Sequence, residues 1–276
     1  MRLPLPDTRR GRKGDWGRLL VLDQGRRLQL GSPQATRMEV ACGMDECAPA
    51  RVVVVKRGMP TVRTVHTSTH GRVLIDGGVG GSSHPLLVGF HGYGENAERH
   101  LGQLRSIPGT EGWTLAAVQG LHRFYAAKGQ EVVASWMTRE DRELAIADNI
   151  AYVDRVMALL AAENGAATRV VYLGFSQGVA MAFRAAVLGA SRASGVIALG
   201  GDVPPHLWEE PSARFPRVLL GRGSADSWYT EEKLRTDVEH LRSKHVSVEV
   251  AAFEGGHEWT DEFRLAASQF LNSLLP

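Results

Sequence analysis

From residue 86 onward, short and nearly unbroken apolar runs alternate with longer stretches in which apolar residues recur every three or four positions. The runs at 86–90, 113–118, 170–173, 195–199, 216–220 and 246–253 read as strands. The run at 86–90 lacks polar alternation, the mark of a strand covered on both faces, whereas 246–253 alternates its valines with Ser247 and Glu249. Between them, residues 141–162 place Leu144, Ile146, Ile150, Val153, Met157 and Leu160 mostly on one helical face. Residues 179–188, 231–243 and 258–274 read as further helices. Strands and helices in alternation with short connections predict an α/β fold, a doubly wound and mostly parallel sheet. Ahead of it, residues 60–67 alternate, with Val62 and Val65 against Arg63 and His66, and an apolar run at 71–75 follows a short turn. That pattern predicts an N-terminal β-hairpin. The glycine-rich stretch 77–83 lacks the spacing and terminal Lys-Ser/Thr of a phosphate-binding loop and reads as a flexible connection.

The first 58 residues follow no such pattern. They carry 12 Lys and Arg against 6 Asp and Glu, net +6, whereas the remainder is net −4. The expected organisation is therefore a basic extension over 1–58, disordered or foreign to the natural protein, and a catalytic domain over 59–276. Met59 opens the patterned part and is an expected natural start of translation. Residues 51–56 are the one convincing strand in the extension. Cys42 and Cys47 lack the second ligand pair of a zinc site and read as incidental thiols.

A mildly acidic patterned region argues against nucleic acid as a partner. No apolar run approaches the ~20 residues of a membrane span. Thr8-Arg9-Arg10 is not followed by the apolar region an export signal needs, so the cytoplasm is the expected compartment.

Candidate chemistry centres on Gly174-Phe-Ser176-Gln-Gly178, which sits where a predicted strand meets a predicted helix. Glycines two residues either side of a serine permit the sharp turn that projects its hydroxyl. A serine nucleophile needs a histidine base oriented by a carboxylate, in the order Ser, Asp, His for this type of fold. His257, in a glycine-flanked loop after the last strand, is the candidate base. His240 and His245 fall in or beside a charged helix, and His206 in a proline-rich loop. Asp226, directly after the strand at 216–220, is the candidate acid, with Asp202 as runner-up and a helix-capping role as the competing reading. An oxyanion site needs two backbone N–H groups. Gln177 supplies one at the helix start, and Tyr93 in His91-Gly92-Tyr93-Gly94 the other. On this reading the Gln177 side chain is replaceable at modest cost.

Together, His91-Gly92-Tyr93-Gly94, Gly174-Phe-Ser-Gln-Gly178, Gly223-Ser-Ala-Asp226 and Gly256-His257 resemble the phospholipase/carboxylesterase family of α/β-hydrolases, over about residues 60–276. The resemblance implies an α/β-hydrolase fold, a Ser176–Asp226–His257 triad, and Tyr93 and Gln177 as oxyanion donors. It also implies a small-molecule ester or thioester substrate and no metal or organic cofactor. Trp136 and Met137 stand where relatives line an acyl groove, and are candidate pocket residues, with core packing as the competing reading. The short interval between Ser176 and Asp226 leaves little room for a large lid and disfavours long-chain lipids. A serine peptidase, or a non-catalytic binding protein of the same fold, are the competing functions.

Overall fold

The computed structural model describes residues 36–38, 52–54, 60–77, 84–127 and 129–275. The chain divides into two compact units, Met1–Thr67 and Ser68–Pro276. In the first, β1 (Thr36–Met38) pairs antiparallel with β2 (Val52–Val54), which falls within the strand expected at 51–56. Cys42, Cys47, Met59 and the glycine-rich stretch from 78 to 83 lie outside the described residues.

The second unit is built on a seven-stranded sheet. In chain order its strands are β3 (Arg72–Asp76), β4 (Leu86–Phe90), β5 (Thr114–Gln119), β8 (Val170–Phe175), β9 (Gly195–Leu199), β10 (Arg217–Gly223) and β11 (Val248–Phe253). Their spatial order is β11-β10-β9-β8-β4-β5-β3, parallel throughout except that β3 runs antiparallel to β5. The α/β class and the mostly parallel sheet expected from the apolar runs are present. The N-terminal hairpin is not. Residues 60–71 form no strand, and 72–76 pair with 114–119 instead. Val62 and Val65 are about 80% exposed (80% and 81%), so their alternation finds no apolar face to cover. A period-2 pattern specifies a strand only where one of its faces can be buried.

Helices cover both faces. On one lie α1 (Ala97–Arg105) and α6 (Asp261–Ser273), and on the other α2 (Arg142–Asn164), α3 (Gln177–Leu188) and α5 (Glu231–Ser243); α4 (His206–Glu209) is a single turn. Side chains alternate between the faces as the strand period requires. Leu87, Val171, Leu173 and Ile197 pack towards α1 and α6, and Val88, Tyr172, Val196 and Ala198 towards α2 and α3. A hairpin absent from the sequence reading, β6 (His122–Tyr125) with β7 (Val132–Ser135), follows β5. Because the central strands are parallel, their carboxyl ends share one edge. The loops after β4, β8, β9, β10 and β11 therefore gather there.

One polar group in this frame opposes stability. Asp237 on α5 is 4% exposed, and its Oδ2 accepts from the Val203 N–H (3.2 Å) and the Tyr229 O–H (2.9 Å). Burial, with some help from nearby Asp202, raises its pKa from 3.8 to about 6 against the pull of those two donors. The native state thus holds this proton more tightly than the unfolded chain. Its contribution is fully present below pH ~3.8 and is lost as pH rises through about 6, an effect of up to ~3 kcal/mol. Asparagine keeps one acceptor oxygen for both donors and carries no charge. Asp237→Asn is expected to raise the melting temperature by a few degrees at pH 8, with the gain vanishing near pH 4. Thermal melts at the two pH values check this; an equal shift at both would refute it.

Candidate active site

Ser176 stands between β8 and α3 with φ 53° and ψ −118°. For a residue with a side chain this backbone costs roughly 1–3 kcal/mol, held in place by its surroundings. The Ser176 N–H donates to the Leu199 carbonyl at 2.8 Å, and its carbonyl accepts from Val179 at 3.0 Å. Glycine is a steric necessity on both sides. A methyl group at 178 would strike the Phe90 carbonyl oxygen, and one at 174 would strike the backbone of Gly178. Strand and helix approach too closely for any Cβ.

The loop after β11 brings His257 to this serine, with Nε2 2.8 Å from Ser176 Oγ. Its Nδ1 is 2.8 Å from Asp226 Oδ2, in the loop after β10. The two loops are tied by Ser224 N–H to the Phe253 carbonyl and Ala225 N–H to the Gly255 carbonyl, both 2.8 Å. The Phe175 ring lies along His257 with centroids 5.1 Å apart. Asp226 has a 1% exposed side chain, and its Oδ1 accepts from the N–H groups of Trp228 (2.8 Å) and Tyr229 (3.0 Å). Burial alone would raise its pKa. The Tyr229 N–H, the His257 ring and the Trp228 N–H outweigh burial and hold it below the ordinary carboxylate range. An ionised carboxylate only accepts, so Nδ1 carries the imidazole proton and Nε2 is free to accept from the serine hydroxyl. Helix capping at α5 falls to Thr230, whose side chain accepts from the Lys233 N–H. Asp202 is half exposed and faces Lys233 at 3.6 Å, and the partner of His257 Nδ1 is Asp226.

Tyr93 and Gln177 supply backbone N–H groups from the loop after β4 and from the first residue of α3, where amides have no intrahelical acceptor. The Tyr93 side chain is exposed and stacks near Phe124 at 5.6 Å. Two further residues shape this loop. The fully buried His91 accepts the Gly120 N–H at Nε2 (2.9 Å), so its Nδ1–H donates to the Gly92 carbonyl (2.7 Å). Burial lowers its pKa, which keeps the ring neutral. A trans peptide carries its C=O and N–H on opposite edges. Fixing the Gly92 carbonyl on His91 therefore turns the Tyr93 N–H away from that ring. Glu95 closes the turn: its carboxylate accepts the Gly92 N–H at 2.7 Å, and its own N–H donates to the Gly92 carbonyl at 3.3 Å. The sequence signal for this clamp was the histidine opening the glycine motif and a carboxylate four residues on.

Two expectations are corrected. Trp136 does not face a pocket. It is fully buried edge-on to Phe90 at 5.5 Å, with its Nε1–H donating to the His91 carbonyl at 2.9 Å. Met137 is half-buried, with its Sδ 3.8 Å from an Arg184 nitrogen. Nor is the Gln177 side chain idle. Its Oε1 accepts from the Trp136 N–H (2.9 Å) and the Ser135 hydroxyl (3.2 Å), and its Nε2 donates to the Met137 carbonyl (3.0 Å). An amide offering both an acceptor and donors is what the segment leaving β7 requires, so its loss is more than a modest change.

A cleft of about 230 Å³ opens beside Ser176, bordered by Gln177, Ala180, Arg184, Gly201 and Trp228. Among the described residues no cluster of three or more His, Cys, Asp or Glu side chains is placed to hold a metal ion, and no helix is long and apolar enough to cross a membrane.

Solved structures with this fold include esterase PE8 (24% identity, 75% of this chain and 100% of that one, TM-score 0.60). Zea mays acyl-protein thioesterase 2 matches at 18% identity over 75% of this chain and 100% of its own, TM-score 0.59. A Bacillus cereus carboxylesterase matches at 16% over 74% and 95%, TM-score 0.57. No curated protein matches significantly. The family model described as Phospholipase/Carboxylesterase matches residues 80–275, most of the chain and all the loops that converge on Ser176, so this chain belongs to that family of α/β-hydrolase enzymes.

Proposed function

We propose that the protein hydrolyses carboxylic esters or thioesters of small to medium acyl chains through an acyl-enzyme on Ser176. The observation that carries this reading is the unbroken hydrogen-bonded line from Ser176 Oγ through the His257 ring to Asp226, with both contacts at 2.8 Å. In the first half-reaction His257 Nε2 takes the hydroxyl proton as Oγ bonds to the substrate carbonyl carbon. The carbonyl oxygen becomes an oxyanion, which the Tyr93 and Gln177 N–H groups stabilise. Protonated His257 gives its proton to the departing alkoxide or thiolate, and the tetrahedral intermediate collapses to the acyl-enzyme. Water, deprotonated by the same nitrogen, then attacks the acyl carbon and releases the acid and free Ser176. Asp226 stays ionised throughout and stabilises the imidazolium. The cleft volume of about 230 Å³ suits a short or medium acyl group.

The test is a fluorophosphonate probe, which phosphonylates only an activated serine, alongside a p-nitrophenyl ester series from acetyl to palmitoyl. The expected result is one stoichiometric adduct on the Ser176 peptide and turnover that peaks below the long chains. Folded protein that neither reacts with the probe nor turns over any ester would overturn the proposal.

A further inference from the structure

Three cations border the cleft beside Ser176, and two have partners. Lys233 faces Asp202 at 3.6 Å, and Arg142 faces Glu143 at 3.2 Å. Arg184 does not. It is 1% exposed, and among the described residues no carboxylate reaches it within 4.0 Å. Its Nε has no hydrogen-bond partner, and one terminal nitrogen meets only the Met137 thioether at 3.8 Å. His206, close enough to feel its charge, also has a buried Nε2 without a partner. Burial pulls the Arg184 pKa down to about 10, with Arg142 adding to the effect and Glu143 opposing it, so the group is still a cation at neutral pH. An unpaired buried charge costs several kcal/mol, whereas leucine or methionine would fill the same helix position without that cost.

Its placement is specific. Gln177, Ala180 and Arg184 recur at helical spacing on the face of α3 that lines the cleft. Seven residues span roughly 10 Å of helix, and helical side chains lean back towards the N-terminus, here towards Ser176. A guanidinium offers a planar fork that matches two oxygens of a carboxylate or phosphate. We propose that Arg184 anchors an anionic oxygen group, carboxylate or phosphate, carried by the ester that Ser176 attacks. The proposal rests on the hydrolase reading above and narrows its substrate class: the neutral carbonyl sits at the serine while the charged end of the same molecule supplies the counter-ion that the fold leaves out.

The experiment compares kcat/KM on the full chain, at low salt, in two arms. One arm uses p-nitrophenyl half-esters of succinic, glutaric and adipic acids against the same esters ending in a carboxamide. The other uses the butyryl ester of glycerol phosphate against that of glycerol. In at least one arm the anionic member is expected to lead by about 10- to 100-fold, the range of a charge-assisted hydrogen bond; the arm identifies carboxylate or phosphate. Within Arg184→Met that ratio is expected to fall to about one, and within Arg184→Lys to be partly kept. Neutral substrates leading in both arms, or an unchanged ratio in Arg184→Met, would overturn the proposal. Should the methionine variant not fold, calorimetric titration of the unaltered protein with glutarate, glycerol phosphate and glutaramide decides instead. Binding of an anion but not the amide supports the site, and binding of neither anion overturns it. Failure to turn over any ester sinks the hydrolase reading, and the titration still judges Arg184.

Discussion

Ser176→Ala is expected to lower kcat on a p-nitrophenyl ester by about five to six orders of magnitude, the loss found when an acyl-enzyme nucleophile is removed. The residue that remains is no less strained than serine. Alanine at φ 53° pays the same backbone penalty, so the elbow should persist and the cleft with it. What is lost besides the nucleophile is one hydrogen bond to His257, about 0.5–1.5 kcal/mol. The melting temperature should therefore change by only a few degrees, and the fluorophosphonate adduct should disappear. Residual hydrolysis would come from the oxyanion donors and the imidazole acting on water. Retention of more than one hundredth of the parent kcat, in protein free of parent enzyme, would remove Ser176 from the centre of the chemistry.

The order of strands and helices was legible because the strands of a parallel sheet are covered on both faces and write themselves as apolar runs. Strand ends moved by one to three residues, to 114–119 and 217–223 for example. What was illegible depended on neighbours distant in sequence. Residues 60–67 have the alternation of a strand but no face to bury, and only the folded chain reveals that 72–76 takes its partner from 114–119. The β6–β7 hairpin escaped because its first strand is a mostly polar and aromatic run that stays exposed. Ser176, Asp226 and His257 could be singled out because each is the chemistry-bearing residue directly after a readable strand, and the fold brings all three within hydrogen-bond reach. The supporting residues could not. Trp136 is named by type as a pocket aromatic, yet the His91 carbonyl and Phe90 hold it in the core. Gln177 shows only a backbone role in sequence, because nothing local predicts that the segment leaving β7 arrives to meet its side chain. Arg184 looks in sequence like any helical arginine. Its significance lies in the missing carboxylate, which is a property of three-dimensional surroundings.

Asp226→Asn is expected to cost about four orders of magnitude in kcat, by a route that differs from removal of the nucleophile. The two backbone donors decide the outcome. Trp228 and Tyr229 both direct N–H groups at Oδ1, so an asparagine must place its carbonyl oxygen there. Its NH₂ then occupies the Oδ2 position, 2.8 Å from His257 Nδ1. Two donors cannot share that contact. The ring gives up its Nδ1 proton, accepts from the amide, and carries its proton on Nε2, where the serine hydroxyl needs an acceptor. The geometry survives while the proton sits on the wrong nitrogen. The loss should accordingly fall on kcat with KM nearly unchanged, and the melting temperature should stay close to that of the parent protein. The parent carboxylate, held below its ordinary range, is ionised through the neutral and mildly acidic region, so its own titration does not limit activity there. Steady-state kinetics and imidazole nitrogen NMR read the two halves of this argument separately. A variant within tenfold of the parent kcat, or a ring still protonated at Nδ1, would show that Asp226 does not set the tautomer on which Ser176 depends.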